Sequence, residues 1–246
     1  MAEERVPVHK DPVQRVLIVA AHPDDVDFGS GGTIAAWTDA GLEVFYCIVT
    51  DGDAGGFDPE VPRSAIGGIR QDEQRKAAAT LGVADVEFLG YPDGRLVVSF
   101  ELRRDITRAI RRTRPDRMVI PSPQRDLRSL YRSHPDHQAA GEAALCAVYP
   151  DARNPFAHPE LLAEEGLEAH TVPEVWIVSA DDRADHYVDI TDTFDRKIAA
   201  LRAHPSQTSR MTDLEEQMRG WGSLQARAAG LAEGRLAEGY LVLDTR

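Results

Sequence analysis

The sequence predicts an α/β fold, a doubly wound and mostly parallel sheet flanked by helices, with loop insertions around one rim. Three observations carry this. Apolar, β-branched runs at 16–20, 44–50, 86–89 and 117–120 alternate with helical stretches over short connections. The first two runs are apolar almost throughout, as strands buried on both faces are. The first three run directly into turns rich in glycine or aspartate.

Taken in order, Val16 to Ala20 is a buried strand that leads through Ala21-His22-Pro23-Asp24-Asp25-Val26-Asp27-Phe28 to Gly29-Ser30-Gly31-Gly32, where the chain is expected to turn and enter a helix. That helix carries Ile34, Ala35, Trp37 and Ala40 and stops at Gly41. The strand 44–50 ends in the acidic loop Asp51-Gly52-Asp53-Ala54-Gly55-Gly56; Asp51 and Asp53 suit either a second ion or a solvated glycine turn, the turn being favoured. Residues 57–68 read as a surface segment or lid, and 70–81 as a helix closed by Gly82. After strand 86–89 comes the turn Tyr91-Pro92-Asp93-Gly94. Leu102, Ile106 and Ile110 then repeat every four residues, which puts the arginines of 103–114 mostly on the solvated face of a helix, or in a subunit contact. Past strand 117–120, a polar loop reaches His134-Pro135-Asp136-His137, where Ser133 or His134 caps a helix running to about Val148. Residues 150–173 read as a long functional loop. Strands at 174–180 and 186–190, helices at 192–203 and about 212–232, and an apolar stretch at 240–243 finish the chain. Residues 1–246 read as one domain, with core motifs in 14–207 and a C-terminal helix and strand-like extension in 208–246.

Composition excludes several classes. A formal charge of −13 argues against nucleic acid and anionic membrane as partners. Neither a 20-residue apolar span nor a hydrophobic leader is expected, and two cysteines in apolar surroundings, Cys47 and Cys146, make a reducing cytoplasm the default.

The chemistry sits at the strand ends. His22 and Asp25 can converge on one divalent ion, a nitrogen and an oxygen ligand that suit zinc, while Asp24 points elsewhere as a carboxylate free to move protons. The competing reading is that these carboxylates only cap the following helix. His134 and His137 lie one helical turn apart after another strand, so His137 can join His22 and Asp25 in a three-ligand site with an open position.

With both motifs in view, the sequence resembles the LmbE-like, or PIG-L-type, zinc de-N-acetylases, whose pattern is Ala-His-Pro-Asp-Asp-x-Glu plus a distal His-Pro-Asp-His on a Rossmann-like sheet. Here Asp27 stands where the family usually has Glu. The resemblance runs from about Val16 to Gln207. It implies His22, Asp25 and His137 as ligands of Zn2+, with Fe2+ or another divalent ion as an alternative, and Asp24 as general base. It further implies that His134 stabilises the oxyanion or protonates the leaving amine, oriented by Asp136, that Arg70 lies beside the substrate, and that Asp93 lies near the sugar or its catalytic histidine. The bland competitors are a surface ion pair for Arg70 with Asp72, Glu73 or another carboxylate, and a β-turn role for Asp93. Tyr131 is a candidate hydrogen-bond donor to the intermediate, or a packing residue. Lys197, Ala200, Leu201, His204, Ser206 and Gln207 match a family signature near the pocket without an assigned step. His158, His170 and His186 lack ligand spacing and read as surface or loop residues.

The implied activity is removal of an N-acetyl group from an N-acetylglucosamine-type amino sugar or conjugate, in a chain expected as a homo-oligomer, trimer or hexamer, by resemblance. The alternatives are an amidase cleaving a larger, mycothiol-conjugate-like amide and a catalytically silent metal-binding relative. A dinucleotide-binding protein is disfavoured because Ile34 replaces the third glycine and carboxylates occupy the pyrophosphate position.

Overall fold

The computed structural model describes residues 12–127, 130, 133–179 and 183–246. These form one sheet of seven strands: β1 (Arg15–Ala20), β2 (Glu43–Thr50), β3 (Asp85–Tyr91), β4 (Arg117–Ile120), β5 (Glu174–Val178), β6 (His186–Asp189) and β7 (Ala237–Asp244), in the spatial order β3-β2-β1-β4-β5-β7-β6. The first five are parallel to one another, and β7 runs antiparallel between β5 and β6. The doubly wound, mostly parallel α/β sheet is therefore as the sequence predicts. Strand alternation divides the core: Val16, Ile18 and Ala20 face one layer, Leu17, Val19 and Ala21 the other.

The first layer holds α1 (Asp25–Asp39), α2 (Arg63–Leu81) and α6 (Phe194–Arg202); the second holds α3 (Phe100–Thr113) and α4 (Pro135–Cys146). Short helices α5 (Pro159–Ala163) and α7 (Pro205–Thr208) lie in the connections, and α8 (Leu214–Ala228) packs with α6 through Phe194, Ile198, Leu214 and Met218.

Several expectations change. The turn after β1 occurs at Asp24, and Gly29, Gly31 and Gly32 lie inside α1. Their smallness serves packing, since a Cβ on Gly32 would sit 2.6 Å from Ile190 Cβ. The helix expected from residue 70 starts at Arg63, so part of the expected surface segment is helical; Gly67 and Gly68, poor helix formers, hide it in the sequence. Of the arginines of α3, Arg111 is not on the solvated face: only 2 % exposed, it donates to the carbonyls of Asp151, Ala152, Asn154 and Ala157. It thereby holds the 151–157 stretch of the expected loop against the core. His158 is buried too, facing Asp151 at 3.4 Å and the Phe100 ring. The last strand is no appendage. Glu238 on β7 accepts from the amides of Gly32 (3.1 Å) and Thr33 (2.8 Å) and from Lys197 Nζ (2.5 Å), which also donates to Phe28 O. The chain's end thus ties down the helix that opens on the strand rim. No helix among the described residues is long and apolar enough to cross a membrane.

Candidate active site

Chain direction across the sheet reverses between β1 and β4: β2 and β3 extend from one side of β1, β4 and β5 from the other. At such a switch point the loops leaving the two strands separate and open a crevice. His22 leaves β1 there, and α4, which follows β4, opens with His134-Pro135-Asp136-His137.

The β1–α1 turn depends on one unusual residue. Asp24 has φ 89° and ψ −30°, a conformation costing a non-glycine residue about 1–3 kcal/mol. Surrounding bonds hold it. Its carbonyl accepts from the amides of Asp27 and Phe28, and its own amide donates to Gln74 Oε1 (2.7 Å). Arg70 Nη2 donates to Pro23 O (2.6 Å) and lies 3.2 Å from Asp24 Oδ1, while Nη1 donates to Gly52 O. Asp24 occupies the N-cap position of α1 but its side chain caps nothing. Nor does Asp25, whose Oδ2 accepts from the His22 amide at 2.8 Å. The capping interpretation of the two carboxylates therefore does not describe this turn.

Asp25 sits between two imidazoles. Its Oδ2 is 3.3 Å from His22 Nδ1 and its Oδ1 is 3.1 Å from His137 Nε2. Ligands held tetrahedrally at 2.0–2.1 Å from an ion are themselves about 3.3–3.4 Å apart, and each of these two contacts is near that separation, each through a different Asp25 oxygen. The opposite side of the His22 ring faces carboxylates: Nε2 is 3.1 Å from Asp93 Oδ1 and 3.3 Å from Asp136 Oδ2. Those acids are tethered in turn, Asp136 by the amides of Gly94 (2.7 Å) and Leu96 (3.2 Å), Asp93 by that of Ala54. A carboxylate behind a ligating imidazole fixes its tautomer and orientation. The His22, His134 and His137 rings lie with centroids 4.9–5.3 Å apart, and one nitrogen from each falls within 4.8 Å of the others.

Electrostatics point the same way. Burial opposes charge on His22, yet its hydrogen bonds to Asp136, Asp25 and Asp93 push its pKa up to about 12. Burial raises Asp25, but the His137 and His22 charges outweigh this and hold it well below the usual carboxylate range. Asp24 is pushed up to about 7 by burial, against the Arg70 guanidinium and with the help of the Asp25 charge. A surplus of carboxylates around neutralisable imidazoles is the donor set a divalent cation completes.

Asp136 corrects one assignment: it turns to His22, not to His134. His134 Nδ1 instead accepts from the Asp136 amide (3.2 Å), so the imidazole caps α4 and leaves Nε2 as its donor. Burial and the two neighbouring histidines lower its pKa, which favours the neutral imidazole as donor. Arg70 pairs with neither Asp72 nor Glu73; it is 4 % exposed and turned inward to Asp24. Asp93 does more than form a turn, and Asp53 accepts from the Asp93 amide and from Arg63, which fits the structural role expected of that loop. Tyr131 lies outside the described residues. Sequence reasoning missed Gln74. Its signal was its position on α2, one turn after Arg70, where i and i+4 share a helix face. The unassigned signature is a bracing set: His204 Nε2 donates to Asp27 Oδ2 (2.8 Å), and Ser206 donates to Glu73 through both amide and hydroxyl. A cavity of about 760 Å³ opens between α6–α7 and α8, but none of these groups lines it.

Comparison with known proteins agrees with this geometry. The family model described as GlcNAc-PI de-N-acetylase, PIG-L, matches residues 17–148. The chain is 35 % identical over 195 residues to the diacetylchitobiose deacetylase of Thermococcus kodakarensis, covering 79 % of this chain and 70 % of that protein. It is 31 % identical over 209 residues to a probable N-acetyl-alpha-D-glucosaminyl L-malate deacetylase 2 of Bacillus cereus, covering 81 % and 86 %. Among solved structures, the N,N'-diacetylchitobiose deacetylase from Pyrococcus horikoshii superposes with a TM-score of 0.84 at 30 % identity, covering 94 % of this chain and 84 % of that one. With both His-Pro-Asp motifs gathered at one switch point and these relatives around it, the chain belongs to the PIG-L, or LmbE-like, family of de-N-acetylases.

Proposed function

We propose that the chain is a metal-dependent hydrolase that removes the acetyl group from an N-acetylglucosamine-type amino sugar or its conjugate. The observation that carries this reading is the division of labour in the β1–α1 turn: Asp25 is within 3.1–3.3 Å of two imidazoles, while its neighbour Asp24 is half-buried and lies 3.2 Å from the Arg70 guanidinium. Relatives named as deacetylases of diacetylchitobiose and of N-acetylglucosaminyl malate support the substrate class.

In this reading His22, Asp25 and His137 hold a divalent ion, zinc by preference for a two-imidazole, one-carboxylate set. Such an ion, when bound, acidifies water and polarises the amide carbonyl. The protein's own groups do the rest. Asp24 takes a proton from the attacking water as oxygen adds to the acetyl carbon, and a base poised near 7 suits that task. Arg70 holds the Asp24 carboxylate in place. His134, protonated on Nε2, donates to the oxygen that gains charge or to the departing nitrogen. The C–N bond breaks, the proton passes to nitrogen, and acetate and a free amine leave. Asp93 and Asp136 hold Nε2 of His22, which leaves Nδ1 on the Asp25 side, where it would serve as the ligand.

The test is Asp24→Asn, with acetate release measured on N,N'-diacetylchitobiose, N-acetylglucosamine, N-acetylglucosaminyl malate and N-acetylglucosaminyl inositol. We expect turnover to fall by at least about 10²-fold while bound metal stays at the wild-type level. Undiminished turnover removes Asp24 as base. A wild-type chain inert on every acetamido sugar but active on a bulkier amide overturns the substrate assignment.

A further inference from the structure

We propose that Gln74, backed by Asp27 and His204, is a positioning residue for the Asp24 carboxylate. The proposal deepens the hydrolase reading above and rests on Asp24 being the base.

One face of α2 carries the argument. Arg70, Glu73 and Gln74 stand at i, i+3 and i+4, are 4 %, 5 % and 0 % exposed, and each grips a different part of the site. Arg70 takes the Asp24 carboxylate and the carbonyl before it. Gln74 takes the backbone: its Oε1 accepts from the Asp24 amide at 2.7 Å. Its Nε2 donates to Asp27 Oδ2 at 2.9 Å, which fixes which way round the amide sits. His204 Nε2 donates to the same oxygen at 2.8 Å. Asp27 and His204 are both fully buried. Glu73 completes the support by accepting from the amide and hydroxyl of Ser206, which holds α7, the short helix that His204 precedes.

The chain His204–Asp27–Gln74–Asp24 amide therefore ends on the one non-glycine residue of the site with a left-handed φ. A side chain on a residue with φ near +90° departs from the backbone in a direction that the extended and helical regions do not offer. Losing the Gln74 acceptor lets the Pro23–Asp24 peptide relax and swings the Asp24 carboxylate off its line, with His137 left in place on α4. Three separated stretches of sequence, on α1, α2 and before α7, converge on that single amide.

The experiment compares Gln74→Met, His204→Leu and His204→Gln with wild type and Asp24→Asn, using N,N'-diacetylchitobiose and the zinc-loaded protein. Gln74→Met and His204→Leu should lower kcat by about 10–100-fold, as a misplacement of about 1 Å does. KM should stay within about twofold and zinc content should be unchanged. His204→Gln, which keeps a donor near the Nε2 position, should recover most of the lost kcat. A readout that needs no substrate is hydrogen exchange at the Asp24 amide, which should quicken by at least about tenfold in Gln74→Met. If Asp24→Asn is inactive while folded Gln74→Met and His204→Leu keep wild-type kcat and slow Asp24 exchange, the positioning role is wrong. If Asp24→Asn is itself active, the reading of Asp24 as base fails instead.

Discussion

Gly141→Ala tests whether close packing behind α4 sets the geometry of the site. Gly141 lies one turn after His137, and a Cβ there would meet Pro121 O at 2.3 Å and Pro123 N at 3.0 Å, both main-chain atoms of the segment leaving β4. Ordinary contact begins near 3.4 Å, so helix and segment must part by about 1 Å. Backbone cannot rotate aside as a side-chain tip can, which places the cost near the upper end of about 1–3 kcal/mol for overpacking. Alanine returns up to about 1 kcal/mol in helix propensity. The net is about 2 kcal/mol, a fall of about 4–8 °C in Tm for a chain of this size. Because the displaced helix carries His134 and His137, kcat/KM should fall by about 10²-fold. Thermal melts and acetate release, side by side, measure both. Gly220→Ala is the internal control: it also lies within a helix, with nothing within 4 Å of the added methyl, and should stabilise by up to about 1 kcal/mol. A Gly141→Ala protein that melts at or above wild type with undiminished kcat/KM refutes the reasoning.

Two further outcomes follow from the buried charges. Lys197→Met strands Glu238, which is 5 % exposed, against the α1 backbone; urea denaturation should show a loss of about 3–5 kcal/mol. The metal-stripped chain should hold a proton on His22 at pH 7, since carboxylates raise it to about 12 against burial, and Asp25 raises His137 in the same direction. Ion binding then expels at least one proton, seen by calorimetry in buffers of different ionisation enthalpy, and affinity falls about tenfold per pH unit per proton as pH drops. For stability the sign is the usual one for a raised histidine. The contribution of His22 is complete below its unfolded value of 6.5 and is lost as pH rises toward 12, so the metal-stripped chain should melt lower at pH 9 than at pH 7. An unchanged melting temperature, or no proton release, contradicts the role given to Asp25, Asp93 and Asp136 around His22.

Much of the fold was legible because its signals are local. The strands announce themselves as short apolar runs, α3 through Leu102, Ile106 and Ile110, and the mouth of α4 through a capping His and a Pro in the first turn. The start of α2 was not legible, because Gly67-Gly68 reads as a loop until packing selects a helix. Nor was the place of β7: nothing in residues 237–244 states that they will run antiparallel between β5 and β6, since pairing partners are chosen by the whole sheet. Arg111 and His158 looked solvent-facing for the same reason; the carbonyls and the Asp151 carboxylate that receive them come from elsewhere in the chain or from a turn it had to form first.

The two His-Pro-Asp motifs by themselves determined the residue types of the site, an imidazole and two carboxylates after one strand and two imidazoles at the mouth of a later helix, because spacing along a turn or a helix limits what can converge. Tertiary structure decided the pairings: Asp136 to His22 rather than to its neighbour His134, Arg70 to Asp24 rather than to acids on its own helix, and Gln74 to the Asp24 amide. These are hydrogen bonds and an ion pair between groups up to 114 positions apart. Only the folded sheet, by bringing β1 beside β4 and α2 over the β1–α1 turn, sets which donors and acceptors lie within reach of each other.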